Sequence, residues 1–262
     1  MQKVKPKKHL GQHFLIDQQI ARNIVDLLSL PQNTPEVLEI GPGMGVLTQY
    51  LMLDKRFRLS VIDIDTESID YLKVHFPLIN PQHIIQADFL KTNLGGIFPG
   101  HVSIIGNFPY NISSQIFFKI LEHRQQVTEV VCMLQKEVAE RIASPPGSKV
   151  YGILSVLLQA FYSIDYKFTV PPHVFDPPPK VNSGVIRLAR NNTQALACDE
   201  KKFFEVVKLS FGTRRKTLRN CLRPYSLPEE ITVQEIFNQR AEQLTVADFV
   251  ELTQLVQAHS NK

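Results

Sequence analysis

The ten residues "EIGPGMGVLT" (39–48) decide how this chain is read. They end the apolar run "EVLEI" (36–40) and open "VLTQYLML" (46–53), whose apolar residues recur at helical spacing. Glycines at 41, 43 and 45 therefore fall where a strand hands over to a helix. Glycine lets the main chain turn tightly there and approach a ligand with no Cβ in the way. A dinucleotide fingerprint, G-x-G-x-x-G, would place its third glycine at position 46, which is Val46. A nicotinamide-dependent oxidoreductase is the weaker reading for that reason.

Outward from this turn the same alternation continues. "RLSVIDI" (58–64), "HIIQA" (83–87), "VSIIG" (102–106) and "TEVVCML" (128–134) read as further strands. "ESIDYLKVHF" and "SSQIFFKILEH" carry the helical period between them. Alternation of this kind predicts a doubly wound, parallel α/β sheet. After Tyr162, "SIDYKFTV" and "SGVIRLAR" read as a hairpin-like pair of strands joined by the proline-rich "PPHVFDPPPKVN". They would give the sheet an antiparallel member. "NNTQALACDE" is a polar linker, and from Lys201 onward the pattern is helical. Two domains are expected, 1–190 and 191–262.

Composition excludes several classes. A 44% hydrophobic and 21% charged chain of 262 residues has the balance of a soluble globular protein with a sizeable core. Its longest mostly apolar run, "YGILSVLLQAFY", includes Gln159 and is too short to span a bilayer. The basic start "MQKVKPKKH" leads into no apolar segment of signal-peptide type, so a cytoplasmic location is expected. Cys132, Cys198 and Cys221 are odd in number and far apart, which fits reduced thiols. His9 and His13 lie near each other without a carboxylate or thiolate neighbour, so no metal site is expected. Net charge is only +4, but the cations are concentrated. Lys3, Lys5, Lys7 and Lys8 crowd one end, and "RRKTLRNCLR" (214–223) the other. Charge runs are usually solvated faces. Two of them flanking a balanced chain raise nucleic acid as a partner.

The chemistry-bearing residues fall at strand ends. Some twenty residues beyond the glycine turn, "VIDID" offers a carboxylate able to accept from both hydroxyls of a ribose. Asp63, directly after Val61 and Ile62, is preferred over Asp65. "QADF" places Asp88 at the end of the third strand, where an acceptor meets an adenine amino group. Singly, such acids are most often solvated loop residues. Acids and glycines at the carboxyl ends of successive strands converge on one crevice and point to an adenosine-containing ligand.

"GNFPYN" (106–111) ends the fourth strand beside that crevice. Its residue types also suit a plain turn. An adenine amine is a poor nucleophile, because its lone pair is delocalised into the ring. If Asn107 and a main-chain carbonyl at Phe108 or Pro109 each accept an amino proton, the nitrogen is pushed towards a tetrahedral shape. The lone pair then points at an electrophilic methyl group. Pro109 stiffens the turn, and Tyr110 offers a ring for an extruded base to stack on. Positioning and polarisation supply the rate without a strong base.

At these residues the sequence resembles the small-subunit ribosomal RNA adenine dimethyltransferases of the kasugamycin-sensitivity type. The likeness runs through "HLGQHFLID", "EIGPGMGVLT", "GNFPYNISS", "MLQKEVAERI", "VPPHVFDPPPKVNSGVIRL" and "FGTRRKTLRN". It implies a Rossmann-like class I methyltransferase sheet using S-adenosylmethionine, followed by a small helical domain that helps grip RNA. By position, His13, Leu15, Gly41, Asp63, Asp88 and Asn107 would contact the cofactor. Asn107, Pro109 and Tyr110 would hold the target amine, with Phe175 covering the flipped base from its other face. An isolated phenylalanine is more often simply core. Arg214, Arg215, Lys216 and Arg219 are suited to phosphates, with 215 and 219 on one helical face.

Three positions depart from the family's usual pattern. His13 stands where asparagine is common, Asp63 where glutamate is common and Phe108 where leucine is common. Aspartate reaches one methylene less far. The implied reaction places two methyl groups on each of two adjacent adenosines near the 3′ end of small-subunit ribosomal RNA. The implied partner is the immature small subunit, met by a monomer. Two rivals remain at this point: a macrolide-resistance type of large-subunit RNA methyltransferase, and a non-catalytic assembly factor of the same fold.

Overall fold

The apolar runs on either side of the glycine turn become the middle of a sheet in the computed structural model, which describes residues 4–31, 34–213 and 215–260. The strands are β1 (Phe14–Leu15), β2 (Glu36–Ile40), β3 (Arg58–Asp63), β4 (Ile84–Gln86), β5 (Val102–Asn107), β6 (Val127–Gln135), β7 (Tyr162–Val170), β8 (Phe175–Asp176) and β9 (Ser183–Arg190). Among the described residues, seven of them form one sheet in the order β4-β3-β2-β5-β6-β9-β7. β2 runs parallel to both β3 and β5, and the β3–β4 and β5–β6 pairs are also parallel. β9 is antiparallel to β6, which makes the sheet mixed. Every residue of β2 is buried, as befits a parallel strand covered on both faces.

The strand order reverses between β2 and β5. From β2 the chain winds out through β3 and β4, then returns to β5 on the other side. Such a switch point leaves a crevice outside the carboxyl ends of the strands. No strand is predicted from the sequence at β1 or β8. These strands, two residues each, pair antiparallel, Leu15 opposite Phe175 and Phe14 opposite Asp176. Two-residue strands carry no readable period, so they form only because tertiary packing brings them together.

The chain divides into two compact units, and one boundary differs from the expected one. The first unit runs to Ala139 and resumes over Ser163–Arg190; the second comprises Glu140–Tyr162 and begins again at Asn191. By the expected bounds of 1–190, the segment 140–162 would belong to the first domain. Its helix Ile153–Gln159 is buried at every residue from 154 to 158, and it packs on the helix Glu200–Phe211. A helix apolar all round needs cover on all sides. Within the second unit, Gly147 N donates to the Glu242 carbonyl at 2.7 Å and Asn191 N to the Phe161 carbonyl at 3.0 Å.

That unit has its own core, with Phe203, Phe237 and Phe249 fully buried. Asp199 caps the helix Glu200–Phe211 by accepting from Lys202 N at 2.7 Å. Thr245 and Asp248 form a reciprocal capping box on Val246–His259. The helical face expected to join Arg215 and Arg219 is not formed. The first helix closes at Gly212, and the next, Leu218–Cys221, starts after Thr217. Arg214 and Lys3 lie outside the described residues. Cys132, Cys198 and Cys221 are free thiols. Among the described residues no helix is long and apolar enough to cross a membrane.

Candidate active site

The three glycines of the turn are left-handed, with φ of 66°, 54° and 79° at Gly41, Gly43 and Gly45. A Cβ on Gly43 would lie 2.8 Å from the Phe14 ring, and one on Gly45 only 2.3 Å from the Phe76 ring. Both the backbone and the space demand glycine there. The turn edges a cavity of about 250 Å³ at the carboxyl ends of the central strands. His13, Gly41, Asp63, Asp88, Asn107, Pro109 and Tyr110 all line it.

The two acids of "VIDID" have separate work. Asp63 is 8% exposed and faces the cavity. It accepts from Asp65 N at 2.9 Å, and its other oxygen has only a long 3.4 Å contact with Gly43 N. Burial raises its carboxyl above the ordinary range. A carboxylate in a low-dielectric wall with lone pairs to spare fits a ligand that brings hydroxyl donors. Asp65 is not on the cavity. It caps the helix Thr66–His75 through Glu67 N and accepts from Ser68 Oγ, Gln12 Nε2 and Lys7 Nζ. Burial alone would raise its carboxyl, but the bonds from Lys7 and Gln12 hold it below the usual value. Asp88 also lines the cavity, with one oxygen accepting from Leu90 N at 3.0 Å and the other 3.7 Å from Lys91 Nζ.

A further wall comes from the N-terminal segment, of which the sequence marks only His13 and Leu15. His9, Leu10, Gly11, Gln12 and Phe14 line the cavity along with His13. Lys7 ties the segment to Asp65 and, at 3.3 Å, to Glu67. Gly11, with φ of 65°, lies so close to Asn111 that a Cβ would come within 2.6 Å of its Oδ1. The glycine in "HLGQHFLID" was the one local signal of that close approach.

The "NFPY" turn closes the cavity from β5. The Asn107 amide nitrogen donates to the His13 carbonyl at 2.9 Å, which leaves Oδ1 as the acceptor. Phe108 N donates to the Met133 carbonyl at 2.9 Å, and the Pro109 carbonyl accepts from Ile112 N at 3.2 Å. The Phe108 carbonyl accepts from no described residue, so of the two carbonyls considered it is the available one. The Tyr110 hydroxyl and Ser183 Oγ are 2.5 Å apart, and the Tyr110 ring lies 5.5 Å from that of His13. His13 Nδ1 must donate to the Pro177 carbonyl at 2.8 Å.

Residues 3–258 match the family described as ribosomal RNA adenine dimethylase. The chain belongs to this family. Ribosomal RNA small subunit methyltransferase A of Cytophaga hutchinsonii is 59% identical over 256 residues, 98% of this chain and 99% of its own. A dimethyladenosine transferase structure from Plasmodium falciparum superposes with a TM-score of 0.76 at 25% identity, covering 92% of this chain and 96% of its own. The 23S rRNA methyltransferase ErmE gives 0.64, also at 25% identity, over 92% and 99%. The fold is thus that of the class I methyltransferases, and the enzyme is an S-adenosylmethionine-dependent rRNA adenine dimethyltransferase. The full-length similarity to small-subunit enzymes removes the oxidoreductase and large-subunit readings.

Not every residue expected at the dimethylase site is on the cavity. Leu15 is 3% exposed and backs onto an adjoining recess of about 30 Å³ that shares Phe14, Gly41 and Asn107 with it. Phe175, expected to cover the base, is instead 3% exposed, opposite Leu15, inside the apolar core. The β1–β8 pairing holds its ring inward. In the second unit, Arg215 and Lys216 are exposed, and Arg215 lines a cavity with Lys149, Arg240 and Glu242. The Arg219 guanidinium is occupied, donating to the Thr232 carbonyl at 3.0 Å and to Asn238 Oδ1 at 3.3 Å.

Proposed function

We propose that this enzyme dimethylates two adjacent adenosines near the 3′ end of small-subunit ribosomal RNA, acting as a cytoplasmic monomer on the immature subunit. The observation that carries the reading is Asn107. Its amide is oriented by the His13 carbonyl, one residue before the Phe108 carbonyl and three before the Tyr110 ring, on the rim of a cavity that also holds Asp63.

Bound S-adenosylmethionine supplies an electrophilic methyl on a sulfonium. Asp63 would accept from its ribose hydroxyls and Asp88 from its adenine amino group, while Gly41 lets the main chain approach. Gly41 bears no Cβ to block this, its nearest neighbour at that point being the Asn107 carbonyl at 3.8 Å. Asn107 Oδ1 and the Phe108 carbonyl would accept the two protons of the target amine, drawing its lone pair out of conjugation. Tyr110, braced by Ser183, stacks on the extruded base. After transfer, the ammonium proton leaves to water, so no strong base is required. Arg215 and Lys216 would meet phosphates from the second unit.

The test is transfer of labelled methyl groups to immature small subunits, with the modified bases mapped. Label on two neighbouring adenosines near the 3′ end is expected. Label on large-subunit RNA, or binding without transfer, would reject the reading.

A further inference from the structure

A second cavity of the first unit, about 380 Å³, lies just beyond Tyr110. Gln135, Lys136, Glu137, Lys180, Val181 and Asn182 line it. Gln135 sits opposite Ser183 in the β6–β9 register, and Ser183 Oγ is bonded to the Tyr110 hydroxyl on the active-site wall. The Tyr110–Ser183 bond and the Gln135–Ser183 register thus link the walls of the two cavities. Lys136 N donates to the Asn182 carbonyl at 3.0 Å, so the walls are joined before any ligand arrives. The side chains of Gln135, Lys180 and Asn182 make no hydrogen bond or ion pair with any described residue.

We propose that this cavity receives the nucleotide next to the target adenosine, an inference that rests on the function proposed above. Two unpartnered carboxamides present a donor and an acceptor in one plane, the pattern that pairs with the amino and ring-nitrogen edge of adenine. Lys180 supplies a cation for the linking phosphate. Glu137 makes the wall unsuited to a bare anion and adds an acceptor for an exocyclic amine. Exposed Val181 gives the base an apolar surface. The site reads the neighbour while Tyr110 holds the target, which couples recognition of one base to modification of the other.

The experiment compares the wild type with the Gln135→Ala/Asn182→Ala double variant on immature small subunits. The subunits carry either both adenosines or one replaced by uridine, each position in turn. For one of the two replacements, the wild-type kcat/KM on the remaining adenosine should fall roughly 10- to 100-fold, the size of a lost base-edge contact. The double variant should show a similar loss on unaltered subunits and no further loss on that replacement, with cofactor affinity unchanged. Lys180→Ala, on an exposed side chain, should raise KM and flatten the salt dependence by about 0.7–0.9 in log–log slope. Discrimination by the variant equal to the wild type's, or losses that multiply, would overturn the proposal. Absence of transfer by the wild type to unaltered subunits would instead overturn the functional reading beneath it.

Discussion

Asn107 and His13, 94 residues apart in sequence, are joined by a 2.9 Å hydrogen bond from the Asn107 amide nitrogen to the His13 main-chain carbonyl. The bond fixes which end of the amide is left to accept. Asn107→Ala should slow methyl transfer on the order of 10²–10³-fold, the usual loss for one positioned group. Asn107→Asp should do no better, since a carboxylate would face the His13 carbonyl with no proton to offer. Single-turnover transfer to small subunits checks both, and a wild-type rate in the alanine variant would remove Asn107 from the reaction.

Asp63→Ala should weaken cofactor binding by roughly 10- to 100-fold, because hydrogen bonds to a charged acceptor contribute about 1.5–3 kcal/mol. Asp65→Ala should chiefly lower the melting temperature. It removes a helix cap, about 0.5–2 kcal/mol, together with the anchor for Lys7 and Gln12. Calorimetry with S-adenosylmethionine beside thermal unfolding separates the two, and a larger affinity loss in the Asp65 variant would reverse the assignment.

Tyr110→Ala should leave cofactor affinity largely intact and reduce turnover on RNA, base stacking on an aromatic being worth roughly 1–3 kcal/mol. Phe175→Ala should behave differently. A phenylalanine removed from a core costs about 3–5 kcal/mol, so urea unfolding should show the main effect. A Phe175 variant of wild-type stability with impaired turnover would restore its place on the base.

Arg215 and Arg219 should also separate. If Arg215 meets a phosphate, Arg215→Ala reduces the slope of log affinity against log salt by about 0.7–0.9 in subunit binding. Arg219→Ala should instead destabilise the second unit, whose Thr232 carbonyl and Asn238 side chain it holds. Equal salt slopes for wild type and the Arg215 variant would leave that residue a solvated cation.

Stability should fall with rising pH because of Glu39. Burial raises its carboxyl to about 8, against a lowering bond from Thr48 Oγ1 at 2.6 Å. From the ordinary 4.5 up to about 8, the folded state keeps a proton that the unfolded chain has released. The unfolded state binds fewer protons, so the stability of the fold declines across that window and levels off above it. Glu39→Gln should flatten this decline in urea titrations across the window. An unchanged slope would assign it to other groups.

The sequence by itself determined the strand–turn–helix at 36–51, the parallel run of strands and the place of "NFPYN" at the end of a strand beside the crevice. Each of these depends on neighbours a few residues away: the period of apolar side chains, glycines where φ must be positive, an amide and two aromatics around one proline. It did not determine which residues the sheet would bring face to face. Asp63 and Asp65 look alike in "VIDID"; Lys7, 58 residues upstream, claims one of them and leaves the other to the cavity. Phe175 reads as a cover for the flipped base until its pairing with Leu15 places it in the core. Residues 140–162 sit between strands of one unit yet pack with the other. Arg219 belongs to a cationic run but is spent on Thr232 and Asn238. These outcomes depend on register and burial between distant segments. Only the folded packing sets them, because a side chain's hydrogen bonds go to whichever unsatisfied partner lies within reach when water is excluded.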